Sequence, residues 1–151
     1  MPYLIDGHNL IEKTPGLSLS QLDDEKSLFK LLDVYFKHLR KKAIVFFDRG
    51  NFSSKVGYKT AFLEAHFVHL PRTADEEIIF RIKKLKGEAK NYTVVTSDHW
   101  IADNARSAGT TVISSTSFAN KLINSSLNSK GVKNESKYDV DYWMNIFGNN
   151  S

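Results

Sequence analysis

Four aspartates close apolar runs or open a helix, and together they suggest one shared metal site. Asp6 ends Tyr3-Leu4-Ile5, and Asp48 ends Ile44-Val45-Phe46-Phe47. Asp98 ends Thr93-Val94-Val95-Thr96-Ser97, and Asp75 follows Thr73-Ala74. Oxygen-only carboxylate ligands suit hard cations such as Mg²⁺ or Mn²⁺. Clustered like charges are costly unless a cation neutralises them. A water made more acidic by such an ion can attack a phosphodiester. The expected catalytic set is Asp6, Asp75, Asp98 and Asn9, with Asp6, Asp75, Asp98 and Asp48 as metal ligands. Asn9, three residues after Asp6, is placed to hydrogen-bond a bound water or a phosphate. Thr73, Thr96 and Ser97 carry hydroxyls beside the acids.

Each aspartate also has a plain structural explanation. Asp6-Gly7 is a favoured turn pair. Asp48 can begin a loop, Asp75 can favour a helix start, and Asp98 can cap a helix. The set is harder to dismiss than its members. In a parallel sheet the carboxyl ends of the strands lie side by side, and ligands bind there.

The surrounding pattern predicts such a sheet. Strands are expected over 2–6, 43–47, 61–70, 92–96 and 110–114. Residues 7–19 read as a turn and loop, with Gly7 allowing a sharp turn and Pro15-Gly16 as a breaker. A helix over about 20–41 is suggested by Leu28, Leu31, Leu32, Tyr35 and Leu39 at helical spacing. Asp23, Asp24 and Glu25 favour the positive end of its dipole. A second helix starts near Thr73, with Glu76 as capping-box partner. Shorter helices follow over 99–108 and about 115–124. Strands alternating with helices imply a three-layer α/β/α sandwich with a mainly parallel sheet. Residues 1–123 are expected to form this domain. Residues 124–151 read as a polar linker and a short amphipathic helix carrying Val140, Trp143, Met144 and Phe147.

The chain has 151 residues, enough for one domain with a sizeable core. It holds no cysteine, which excludes disulfides and thiolate metal sites. It offers no run of 18 apolar residues for a membrane span and no signal-peptide pattern; a cytoplasmic setting is expected. The net charge of +4 permits a polyanionic partner. Lysines and arginines crowd 37–42, 49–59 and 81–90. A basic surface around a small acidic pocket is what a metal-dependent nuclease needs. Arg49, Lys55, Lys59 and Arg72 are the candidate RNA contacts. The loop holding the first three also carries Phe52 and Tyr58, able to stack on unpaired bases; a solvated surface loop is the equal alternative. His8, His66, His69 and His99 match no common zinc spacing.

Asp6-Gly7-His8-Asn9, Val45-Phe46-Phe47-Asp48, Thr73-Ala74-Asp75 and Val94-Val95-Thr96-Ser97-Asp98 resemble, in order, the motifs of the YacP-like NYN domain, a PIN-like nuclease group. The resemblance covers roughly residues 2–123. It implies a PIN-like fold and divalent-metal-dependent cleavage of single-stranded RNA, with mRNA as substrate and the ribosome as a further partner. By motif it assigns Asp6, Asp75 and Asp98 to the metal, matches Asn9 to the asparagine of the opening motif, and matches Asp48 to a strand-end acid. The chain departs from the pattern at His8, where the family often has tyrosine, and at Arg72 and Ile79, where it often has acids. Those two lost acids motivate the alternative of a non-catalytic RNA- or ribosome-binding module on the same fold. A phosphotransfer domain fits less well, because the first strand lacks an Asp-x-Asp.

Overall fold

The computed structural model describes residues 2–14, 22–50 and 58–129. Five strands form one sheet: β1 (Tyr3–Asp6), β2 (Ala43–Gly50), β3 (Leu63–His69), β4 (Thr93–Val95) and β5 (Thr111–Ile113). Their order across the sheet is β3-β2-β1-β4-β5, and every neighbouring pair is parallel. The helices are α1 (Gly7–Lys13), α2 (Leu22–Leu39), α3 (Ala74–Leu85), α4 (His99–Ala108) and α5 (Ser115–Ser129), with a short 3-10 helix at Lys86–Asn91.

Successive strand residues point to opposite faces, and each face has its own core. Ile5, Val45, Phe47 and Val95 pack with Leu28, Phe29, Leu32 and Phe36 of α2 and Phe118 and Leu122 of α5. Their strand neighbours Leu4, Phe46 and Val94 pack with Ile78, Ile79 and Ile82 of α3 and Ile101 and Ala105 of α4. All three residues of β4 are buried. Burial on both faces explains why the strands read as unbroken apolar runs. The chain is thus the three-layer α/β/α sandwich that the alternation implies.

Several elements differ from the sequence expectation. Residues 7–13, expected as turn and loop, are helix α1, which buries Gly7, Leu10 and Ile11. Thr14 closes it, its hydroxyl donating to the Leu10 carbonyl at 2.7 Å. Thr14 is extended, the conformation favoured in a residue that precedes proline. Gly7 is needed for space rather than for turning. A Cβ there would lie 2.4 Å from the Phe47 ring and 2.8 Å from the Phe46 carbonyl oxygen. Strand β2 continues past 47 to Gly50, so Asp48 lies within it. Helix α5 reaches Ser129, beyond the expected end near 124. In α2 the buried face is Leu28, Phe29, Leu32 and Phe36, while Leu39 is exposed. The helix expected around Trp143 lies outside the described residues. No described helix is long and apolar enough to cross a membrane.

The strand order has one consequence for the site. From β1 the chain builds outward through β2 and β3, then returns to the other flank with β4 and β5. The topological switch point therefore falls between β1 and β4, and the crevice at such a point is where open α/β sheets bind ligands. Asp6 ends β1, and Asp98 lies three residues beyond β4.

Candidate metal centre

At this crevice Asp75 and Asp98 stand near enough to Asp6 for their charges to act on it. Asp6 is the last residue of β1 and the N-cap of α1. Its carboxyl is pushed from its ordinary 3.8 up to about 6. Burial is the main cause, and the charges of Asp75 and Asp98 push the same way. The Thr96 hydroxyl, donating to Asp6 Oδ2 at 3.2 Å, and the Asn9 backbone amide oppose the shift.

The neighbours are held by local chemistry. The Asp98 backbone amide donates to Thr96 Oγ1 at 3.0 Å, so one threonine ties both acids. Asp98 Oδ1 caps α4 by accepting the Ile101 amide at 3.1 Å. Asp75 opens α3, whose cap is the full Thr73–Glu76 box. Thr73 Oγ1 also lies 2.5 Å from Asp75 Oδ1. Asp48 is exposed, and its Oδ1 accepts the Ala74 amide at 2.6 Å. It therefore pins the start of α3, and with it the position of Asp75.

Asn9 works as a clamp. Its Oδ1 accepts the Ser97 amide at 2.7 Å and the Ser115 hydroxyl at 2.5 Å. Ser97 Oγ in turn accepts the Ser115 amide at 3.0 Å. These bonds join α1, the β4–α4 turn and α5 behind the acids. Ser115 is fully buried, and nothing local in the sequence marks it, since its partner is 106 positions away. Glu25, which the sequence places at the positive end of the α2 dipole, is buried and lies 2.7 Å from His8 Nε2. The His8 ring packs on Phe47 at 5.4 Å.

The candidate RNA contacts separate. Lys59 and Arg72 line a groove of about 550 Å³ along β3, together with Tyr58, His66 and His69. Its two acids are engaged by cations. Glu64 lies 3.8 Å from Lys59 Nζ, and Glu77 lies 2.7 Å from Arg72 and 3.3 Å from Arg81. Burial works against the Glu77 anion, yet hydrogen bonds from Arg72 and Arg81 hold it below the usual carboxylate range. Arg49 lies on β2, its side chain outside the described part, and Lys55 falls outside the described residues. Of the two positions without acids, Arg72 is exposed and Ile79 is buried in the core.

The donor set suits a hard cation. A carboxylate made costly mainly by partial burial, and further by two like charges, is relieved by a positive ion. Among the described residues no three acids or histidines stand close enough to enclose an ion by themselves. Mg²⁺ commonly keeps several waters and takes only one or two protein carboxylates, so one or two of Asp6, Asp75 and Asp98 would be enough to hold it.

The shifted carboxyl makes stability depend on pH. Folded Asp6 holds its proton to higher pH than unfolded Asp6. Between about 3.8 and about 6 the native state binds the extra proton, so stability falls as pH rises through that window. Above it the fold carries a costly anion, worth at most about 3 kcal/mol. Asp6→Asn is therefore expected to raise the melting temperature at pH 8 in the absence of divalent ions, and to have little effect at pH 4. Thermal melts at the two pH values check this; the same shift at both would contradict it.

Two solved structures share the fold. The crystal structure of Rae1 (YacP) from Bacillus subtilis superposes with a TM-score of 0.70 at 22% identity, over 93% of this chain and 85% of that one. A single-substitution variant of the same protein gives 0.69 at 22% identity, over 86% and 79%. No curated protein sequence matches the chain. The family model of the YacP-like NYN domain matches residues 3–144. The chain therefore belongs to the YacP-like NYN domain family, a nuclease group of PIN-like fold.

Proposed function

We propose that the chain is a divalent-metal-dependent endoribonuclease acting on single-stranded RNA, with mRNA, on the ribosome, as the substrate that the family suggests. The observation that carries this reading is the nearness of Asp75 and Asp98 to Asp6 at the switch point, with Asp6 pushed up by burial and by the other two acids. Bound Mg²⁺ or Mn²⁺ would neutralise these acids and supply an acidified water and a counter-charge for the phosphodiester. Asp6 is the acid whose proton must leave before a cation can bind well, so metal affinity should rise as pH passes about 6. Thr96 orients Asp6, and Thr73 orients Asp75. Asn9 fixes the Ser97 amide and so the turn that presents Asp98. Lys59 and Arg72 offer positive charge to the phosphate backbone along the groove.

A second reading, a non-catalytic RNA- or ribosome-binding module, is favoured by two observations. Ile79 is core rather than acid, and among the described residues no three acids enclose an ion unaided. Chelation separates the two readings. A nuclease loses cleavage in EDTA and regains it with Mn²⁺. A binding module holds RNA in EDTA and cuts it at no Mn²⁺ concentration.

A further inference from the structure

Two basic stretches of the chain fold to the edge of the sheet opposite the acids. Every strand pair is parallel, so all five strands start at that edge. α2 ends at Leu39, and Arg40-Lys41-Lys42 lead into β2; α3 ends at Leu85, and the turn of Lys86–Asn91 leads towards β4. The Tyr3 amide donates to the Lys42 carbonyl at 3.0 Å, and the Thr93 amide donates to the Pro2 carbonyl at 3.0 Å. Residues 42, 2 and 92 thus stand side by side where β2, β1 and β4 begin. Two strand spacings, about 10 Å, separate the backbones of Lys42 and Tyr92.

Residues 37–42 and 83–91 hold eight lysines and arginines against one acid, Glu88. Among the described residues, Arg40, Lys41, Lys42, Lys83, Lys86 and Lys90 stand in no ion pair. Lys59, Arg72 and Arg81 differ in this respect, since each pairs with Glu64 or Glu77. Lys41 is half-buried and the other five unmatched cations are exposed. The negative end of a helix favours cations in its last turn, but Lys42 lies three residues past the end of α2. The backbone supplies a second observation. Among the described residues, the non-glycine residues with positive φ are Arg40 at 55° and Lys86 at 49°. Each directly follows a helix, a position that glycine commonly fills. Gly87 stands beside Lys86 and does not itself take positive φ. The chain thus keeps a cation at two points where glycine would be the unstrained choice, and both lie on this edge. Strained residues of this kind gather at functional sites.

We propose that this amino-terminal edge of the sheet is a docking surface for the phosphate backbone of double-stranded RNA, separate from the acids. Unmatched cations spread over a surface bind phosphates without regard to sequence. Stacking on unpaired bases needs exposed aromatic rings. Of the described Phe, Tyr and Trp residues, the exposed ones are Phe80 and Trp100. Phe80 carries Arg72 and Lys84 over its ring, at 4.7 and 4.4 Å, and Trp100 is in the first turn of α4, beyond the opposite end of β4. A duplex, recognised through its backbone and shape, is therefore the form of RNA that suits this edge. Docked there, the folded part of an RNA leaves the crevice free for an unpaired segment.

The test is the affinity for a short duplex RNA against salt concentration, in EDTA, for wild type, Arg40→Gly/Lys86→Gly and Arg40→Lys/Lys86→Arg. Glycine suits positive φ, so the double glycine chain should melt at or above the wild-type temperature. It should nevertheless bind the duplex about 10- to 100-fold more weakly near 0.1 M salt, with a log–log salt slope shallower by about 2. Lys42→Gln/Lys90→Gln, which leaves both turns alone, should lose as much. The charge-keeping chain should bind as wild type does. Wild-type affinity and slope in either neutralised pair overturns the surface. So does equal weakening in the charge-keeping chain, because the charge survives there. A wild type that binds no duplex also overturns it and leaves these cations to an acidic protein partner. The nuclease reading is judged separately, by Mn²⁺-dependent cleavage of a short single strand, which does not need this edge.

Discussion

Asp98→Asn should abolish RNA cleavage while leaving the fold as stable as the wild type. The expected loss of rate exceeds about 100-fold, since even outer partners of metal ligands cost 10–100-fold in affinity or activity when removed. Asp98 has two separable duties. Its charge belongs to the acid group acting on Asp6, and its Oδ1 caps α4 through the Ile101 amide. Asparagine caps about as well as aspartate, so this substitution removes the first duty and keeps the second. Asp98→Ala removes both, and should additionally cost about 0.5–2 kcal/mol. Single-turnover cleavage paired with urea unfolding resolves the two. Equal loss of stability in Asn and Ala variants would contradict the assignment of the cap. Undiminished cleavage by Asp98→Asn would remove it from the site.

Gly7→Ala should be among the most damaging single-methyl changes in the chain. The new Cβ would meet the Phe47 ring at 2.4 Å and the Phe46 carbonyl oxygen at 2.8 Å. Neither neighbour yields easily. Phe47 is fully buried and stacks on Phe67 at 5.5 Å, and the Phe46 carbonyl belongs to β2, which is paired with β1 on one side and β3 on the other. Overpacking a well-filled core costs typically about 1–3 kcal/mol and sometimes more. The displacement would also move α1 away from β2, carrying Asp6 and Asn9 with it. Loss of both stability and activity is therefore expected, in contrast to the Asp98→Asn result. Urea midpoints measure the first, and a Gly7→Ala chain within about 0.5 kcal/mol of wild type would contradict the packing argument.

The sheet was legible because burial on both faces leaves continuous apolar runs, and Val94-Val95 or Val45-Phe46-Phe47 can be little else at that length. The capping box at Thr73 and the cap at Asp98 were legible because both bonds span three residues. Helix α1 was missed because it has seven residues and only Gly7, Leu10 and Ile11 to show a periodicity. The role of Gly7 was misread for a related reason. Its constraint comes from Phe47, forty positions away, and no local pattern reports a distant ring. The same holds for Ser115 against Asn9 and for Glu25 against His8. Asp48 looked like a strand end because its apolar run stops there, but pairing of β2 with β3 continues to Gly50. The order of strands could not be read at all, and it is that order which sets Asp6 beside the β4–α4 turn.

The most direct measurement is the rate of single-stranded RNA cleavage against Mn²⁺ concentration, for wild type and for Asp6→Asn/Asp98→Asn, with and without ribosomes. The account predicts a wild-type rate that rises with Mn²⁺ to saturation, vanishes in EDTA and is absent from the double variant at every concentration. A rate indifferent to EDTA, or the same in the double variant, would contradict it. So would a wild type that binds RNA tightly and cuts it under none of these conditions.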